Sequence, residues 1–305
     1  MKRPSHPLRW LFLSLGILMG LLALGMGALY TAGRLRLSKH YDVTPVPVAI
    51  PTDPASLAEG KRIFQYRGCE ACHGEHLQGL VYMDNPALGK VITPNLTSGR
   101  GGIGSLRTDE DLVRAIRHGL RPDGTPLLFM PSTEFYFLSD ADLGMVLAYI
   151  RSLAPVDKEN PPSTLSFTGF IAMNVVKTVT FLPAELIPHD QPPPPAPPPG
   201  VTVAYGEYLS LSCKVCHGLT LSGGEIPGFP AEWPSTPNLT PGSGSRLPSW
   251  GEAGFIDILR DGNKHGRAIN PLYMPWTSYR HMTDDEMRAV YLFLMSQPPV
   301  EFGGR

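Results

Sequence analysis

Two pentads restrict this chain more than anything else in it: Cys69-Glu70-Ala71-Cys72-His73 and Cys213-Lys214-Val215-Cys216-His217. Between them they use all four cysteines. C-x-x-C-H is the attachment pattern of haem c. Two sulfurs three residues apart form thioethers to the two vinyl groups of one porphyrin, and the next residue, His, is carried under the iron. A zinc ribbon needs its two C-x-x-C pairs roughly 15–20 residues apart, and these pairs lie some 140 residues apart. Thioredoxin-like redox chemistry needs a βαβ setting that neither motif has. Two short disulfides would leave both histidines without a role. The expected cofactors are therefore two haem c groups. Cys69, Cys72, Cys213 and Cys216 are the covalent sites, and His73 and His217 the proximal iron ligands.

The motifs anchor an internal duplication at an offset of 143–144 residues. Thr93-Pro94-Asn95-Leu96-Thr97 recurs as Thr236-Pro237-Asn238-Leu239-Thr240, and Ile116-Arg117-His118-Gly119 as Leu259-Arg260-Asp261-Gly262. Met130-Pro131 recurs as Met274-Pro275, and Ser139-Asp140 as Thr283-Asp284. The chain has 11 methionines, so one Met near a motif means little; Met130 and Met274, however, each lie 57 residues after their motif His and each precede Pro. Proline fixes φ and removes a donor, which suits a loop held over a haem face. Met130 and Met274 are the expected sixth ligands. His118 aligns with Asp261 and His76 with Thr220, so neither is read as a ligand. His/Met ligation raises the reduction potential relative to bis-His. A six-coordinate iron leaves no position for substrate, so one-electron transfer is expected rather than bond making.

Trp10 to Ala32 form 23 uncharged positions. As a helix they reach roughly 34 Å, enough to cross a bilayer core. Lys2, Arg3 and Arg9 precede the run, and Arg34, Arg36 and Lys39 follow it. The run is longer than the apolar region of a signal peptide, and Tyr30-Thr31-Ala32-Gly33 is a poor cleavage site. It reads as an uncleaved signal-anchor, with everything after residue 40 exported to an oxidising compartment. Lys and Arg number 26 against 27 Asp and Glu, with no block of like charge. That balance argues against a nucleic-acid partner.

Capping signals open short helices at Ser56-Leu57-Ala58-Glu59, Thr108-Asp109-Glu110-Asp111, Ser139-Asp140-Ala141-Asp142, Ser249-Trp250-Gly251-Glu252 and Thr283 to Glu286. The Gly/Pro-rich connections between them cannot be sheet interiors. An all-α architecture is expected: residues 1–40 a transmembrane helix and its flanks, 41–54 a linker, 55–154 the first helical domain, 155–200 a strap and Pro-rich linker, and 201–300 the second domain. Leu165 to Leu182 is apolar but broken by Asn174 and Lys177, so it reads as a helix or strap on a haem domain rather than a second span. The proline tract from 192 to 199 reads as a polyproline II spacer of roughly 25 Å.

The order C-x-x-C-H, Thr-Pro-Asn-Leu-Thr, Gly-rich turn, Ala115-Ile116-Arg117-His118-Gly119 and Met-Pro loop resembles the cytochrome c subunits of bacterial membrane-bound alcohol and gluconate dehydrogenases, from residue 55 to 300. The resemblance implies two class I cytochrome c domains in tandem, and an electron-transfer protein rather than an enzyme in its own right. The apolar run adds a single pass through the bacterial cytoplasmic membrane, with the haem domains on the periplasmic face; the resembling subunits usually carry their membrane-attaching segment at the far end, whereas here it is N-terminal. The protein's partners would be redox proteins: a dehydrogenase catalytic subunit or other subunits of a respiratory complex. The resemblance also puts Asn95 and Asn238 at the haem edge, near a propionate. Those dehydrogenase subunits usually carry three haems, against two motifs here. Two haem domains behind an N-terminal anchor also look like the dihaem subunit of cbb-kind terminal oxidases. A dihaem peroxidase is the more distant alternative, because it needs one iron with an open sixth position.

Overall fold

The computed structural model describes residues 6–229, 232–264 and 266–304. Lys2 and Arg3 of the expected anchor flank lie outside them. Helix α1, His6–Leu37, contains the apolar run and is long and apolar enough to cross a membrane. Residues 7–28 are all exposed, as an apolar surface awaiting lipid would be. The last turns of α1 are different, because they dock on protein. Tyr30 stacks on Phe167 at 5.1 Å and meets Phe170 edge-on at 5.3 Å. Asn174 Nδ2 donates to the Leu29 carbonyl at 2.8 Å, and Arg36 grips Glu185 through two bonds of 2.9 and 2.6 Å. The receiving helix, Phe167–Val175, is the expected strap. It lies against the end of the anchor helix rather than only on a haem domain.

Each half is framed by two crossing helices. In the first half α2, Pro54–Tyr66, crosses α6, Asp140–Ser152; in the second α8, Val203–Leu209, crosses α12, Asp284–Met295. The crossings are close because a glycine sits at each. A Cβ at Gly60 would stand 1.9 Å from the Met145 carbonyl oxygen, and one at Gly206 1.9 Å from that of Ala289. Helix α4, Asp109–His118, closes the first half and α10, Leu247–Asp261, the second. Leu143, Leu147, Met287 and Leu294 form part of one apolar core that is continuous through both halves.

Most capping signals act as read. Thr108 and Thr283 form full capping boxes with Asp111 and Glu286, and the Ser139 hydroxyl accepts from Asp142 N at 2.9 Å. Two do not. The first helix starts earlier, with Asp53 as the cap accepting from Ser56 N at 2.9 Å and Pro54 at the first helical position. Ser249 caps nothing: its hydroxyl donates to the Arg246 carbonyl, and α10 breaks at Gly251, whose φ of 65° and ψ of −179° restart the helix at Glu252.

The all-α expectation needs correction in the loops. Strands Val81–Asn85, Gly89–Ile92 and Thr164–Leu165 pair antiparallel as a small sheet, and Asn263–Lys264 pairs with Arg267–Ala268. The first hairpin sits in a loop read as irregular, and the third strand clips the segment after α6 onto it. The linkers are also less free than spacers. Val48 and Ile50 of the first, and Ala196 of the proline tract, lie against the core.

The halves meet through matching contacts. Arg62 on α2 reaches the Glu286 carboxylate at the start of α12 through bonds of 2.5 and 2.8 Å. Tyr208 on α8 reaches the start of α6: its hydroxyl donates to Asp142 at 2.5 Å and accepts from Ser139 N at 3.1 Å. Asp142 and Glu286 are equivalent in the repeat, so each half's first helix grasps the cap of the other half's last.

Candidate functional site

Both pentads form a single helical turn, Cys69–His73 and Cys213–His217, each followed by a left-handed glycine, Gly74 or Gly218. The chain then turns back through Leu77 and Leu221, two non-glycine residues at φ 55° and 61°. This return is fixed from below. The Thr93 hydroxyl donates to the Cys72 carbonyl at 2.6 Å, and that of Thr236 to the Cys216 carbonyl at 3.0 Å. His217 Nδ1 lies 2.9 Å from the Pro237 carbonyl oxygen. A carbonyl only accepts, so Nδ1 carries a proton and Nε2 is the nitrogen that would bind a metal. His73 faces the equivalent Pro94 carbonyl more loosely. Burial pushes its imidazole down to about 4, against the pull of that carbonyl, so His73 is neutral.

The opposite wall of each site is an arch at Met-Pro. Pro131 has φ −77° and ψ 54°, Pro275 φ −77° and ψ 56°, which are inverse γ-turn values. The turns close at 2.7 Å from Ser132 N to the Met130 carbonyl and from Trp276 N to the Met274 carbonyl. Further bonds fix both arches: Ser132 Oγ donates to Ala115 O at 2.9 Å, and Trp276 Nε1 to Ile269 O at 2.9 Å. Between motif and arch lies one cavity per half. Cys69, Cys72, His73 and Met130 all line the first, about 690 Å³; Cys213, Cys216, His217 and Met274 line the second, about 1330 Å³. The structure thus brings each set of four around one space.

Asn95 and Asn238 bond within their own halves. Both are fully buried, yet neither lines a cavity. Asn95 Nδ2 donates to the Val156 and Lys158 carbonyls, and Asn238 Nδ2 to those of Ser243 and Val300. Their Oδ1 atoms accept from Thr97 and Thr240. Both side-chain amides are thus engaged within the protein. These residues tie the Thr-Pro-Asn-Leu-Thr loop to the segment that follows the last helix of each half.

Two residues in the first cavity were not read from the sequence, Arg67 and Glu134. Arg67 stands just before the motif, and its only sequence signal is a cation beside an apolar pair of motifs. Burial pushes the Glu134 carboxyl up to about 7, with Arg67 opposing. Burial likewise pushes the Cys69 and Cys213 thiols up to about 12.

The cytochrome c family matches residues 57–154 and again residues 203–298. The chain belongs to the cytochrome c family. Similar proteins include the cytochrome c subunit of a quinone alcohol dehydrogenase from Gluconobacter oxydans, 27% identical over 82% of this chain and 56% of that protein. The fructose dehydrogenase cytochrome subunit of Gluconobacter japonicus is 26% identical with the same shares covered. A "Diheme cytochrome c-type" protein of Cereibacter sphaeroides is 24% identical over 92% of this chain and 99% of its own length. The chain spans about half the length of the two dehydrogenase subunits. This cytochrome c carries two haem c, one per domain match. The cavities suit that group: each is predominantly apolar, each has two thiols and an imidazole on one wall and a thioether sulfur on another, and buried nitrogens of Arg67 and His73 stand without partners beside the first.

Proposed function

We propose that this cytochrome c is the electron-transfer subunit of a membrane-bound dehydrogenase, taking electrons from a catalytic subunit and handing them to a further acceptor. The observation that carries the reading is the pair of cavities, each with a Cys-x-x-Cys-His turn on one wall and a Met-Pro arch on another. In this reading Cys69, Cys72, Cys213 and Cys216 hold the porphyrins, His73 and His217 bind iron from one face, and Met130 and Met274 from the other. Haem c so bound supplies one-electron oxidation and reduction. The chain's own part is to keep the His73 imidazole neutral, to hold both sulfurs on rigid arches and to keep water out with an apolar lining. Two similar arches leave no half with an open iron, which counts against a peroxidase.

The domain limits 55–154 and 201–300 and the placing of both domains on the periplasmic face belong to the same proposal. A haem c attached after export and a helix α1 that ends on the domain side support it. Detergent extraction and affinity purification of the full chain test the partner. Co-purification of a quinoprotein, flavoprotein or molybdenum catalytic subunit is expected; a haem-copper subunit would instead identify an oxidase component. Ligation is tested by reduced spectra. The parent should be entirely low-spin, and Met130→Ala and Met274→Ala should each turn one haem high-spin. A variant that kept the parent spectrum would remove that Met from the assignment.

A further inference from the structure

The two cavities come from one repeated unit, but only the first contains charge. Arg67 and Glu134 line it, whereas no Lys, Arg, Asp or Glu lines the second among the described residues. At the repeat offset of 144 their counterparts are Leu211 and Ser278. Arg67 belongs to a local insertion: nine positions separate the crossing glycine Gly60 from Cys69, but seven separate Gly206 from Cys213. The guanidinium lies over two aromatic rings, 5.2 Å from the Tyr66 centroid and 5.1 Å from that of Tyr208, which comes from the other half. Its Nε and Nη2 are buried with no hydrogen-bond partner. Glu134, on the turn Ser132–Phe135 after the first Met-Pro arch, makes no ion pair with it among the described residues. Both charges also act on the second half: Glu134 opposes ionisation of Cys213 and Tyr279, and Arg67 favours that of Cys213.

A guanidinium stays protonated in a protein, and an unpaired charge in a low-dielectric wall acts strongly on any change of charge beside it. Reduction of a haem iron adds one negative charge. A nearby cation therefore favours the reduced form, and a nearby anion the oxidised form.

We infer that Arg67, opposed by Glu134, sets the first haem apart from the second in reduction potential, Arg67 raising it and Glu134 lowering it. This rests on the dihaem reading above. With similar ligands proposed for both irons, these two side chains are the charged difference between the cavities: Arg67 tilts the shared electron toward the first half, and Glu134 opposes that tilt.

The test is a spectroelectrochemical titration of the detergent-solubilised full chain, which in the parent gives two one-electron waves. The Cys213→Ala/Cys216→Ala protein, left with one haem, identifies the first wave; two haems in that protein would sink the site reading and not this inference. Arg67→Gln should lower the first wave by about tenfold in the reduction equilibrium, ~59 mV for one electron, and move the second wave less. Arg67→Lys should keep the parent value. If Arg67→Gln takes up fewer than two haems, Glu134→Gln at pH 8 carries the test, and its first wave should rise. An unmoved first wave in the loaded Arg67→Gln or Glu134→Gln protein, or a larger shift in the second wave, overturns the inference.

Discussion

The two halves agree in the loops that brace each motif and differ in the loop sheet, the docked helix and the charge that lines the cavity. In both, a threonine ties the loop to the motif carbonyl, and a buried asparagine clamps the same loop to the segment behind it. In both, an arginine at the end of the middle helix pairs with an aspartate at the start of the last: Arg117 with Asp140 at 2.6 Å, and Arg260 with Asp284 at 2.6 Å. The first half alone has the three-stranded sheet and the docked anchor; the second alone has the broken α10. What repeats is what shapes a pocket for a flat, rigid group. What differs is what places that pocket relative to the membrane and to the neighbouring half.

The largest effect should come from erasing one motif at a time. Cys69→Ala/Cys72→Ala and Cys213→Ala/Cys216→Ala should each leave one haem per chain, measured as a haem-to-protein ratio. Loss of both haems from either variant would break the comparison, since it would make one half depend on the other for loading.

Next come the crossing glycines. Gly60→Ala and Gly206→Ala each drive a Cβ into a backbone carbonyl, so helices must move apart. Each should cost about 3 kcal/mol, the upper part of the usual range for overpacking, in denaturant unfolding. Equal costs would sharpen the equivalence of the halves.

The junction should be less sensitive and unequal. Arg62→Met leaves Glu286, 6% exposed in its side chain, without its cation. A fully buried pair broken this way costs roughly 3–5 kcal/mol; with Arg62 partly in water, about 2 kcal/mol is expected. Tyr208→Phe removes one hydroxyl and should cost about 1 kcal/mol.

The smallest effect is a pH slope. His118 and His189 face each other with Nδ1 atoms 3.1 Å apart, one donating and one accepting. Burial first, then His189 and the nearby Arg117 and Arg114, pushes His118 down to about 4. The unfolded chain takes up this proton below its ordinary value of 6.5, and the folded chain does not. Stability is therefore full above pH 6.5 and falls as the pH drops toward 4. His118→Gln should flatten that slope in unfolding measured across this range.

The motifs, the repeat and the Met-Pro arches were legible because their chemistry is local or recurs at a fixed offset. Asn95 and Asn238 recur too, but a repeat shows that a residue matters and not which atoms it touches. Here Val156, Lys158 and Val300 claim the amides, and these lie some 60 residues away in sequence. The start of the first helix was misplaced by the pull of a Ser-x-x-Glu pattern over the stronger Asp53-Pro54 signal. The strands near Val81 and Val91 were missed because one of them is completed only by Thr164 and Leu165, far along the chain. Arg67 meets Leu211 at the repeat offset, so the comparison that found the other site residues was blind to it.

Helix α1 ends in a clamp. Phe167, Asn174 and Glu185 fasten its final turns to the strap, the strap bonds to the first cytochrome domain at Gly89 and Phe129, and the Arg62 and Tyr208 contacts fasten that domain to the second. The body therefore cannot swing on a leash. With α1 in a bilayer, as proposed, the body tilts and rotates only as that helix does, so both redox centres keep a set height from the lipid surface and present one fixed face to whatever meets them.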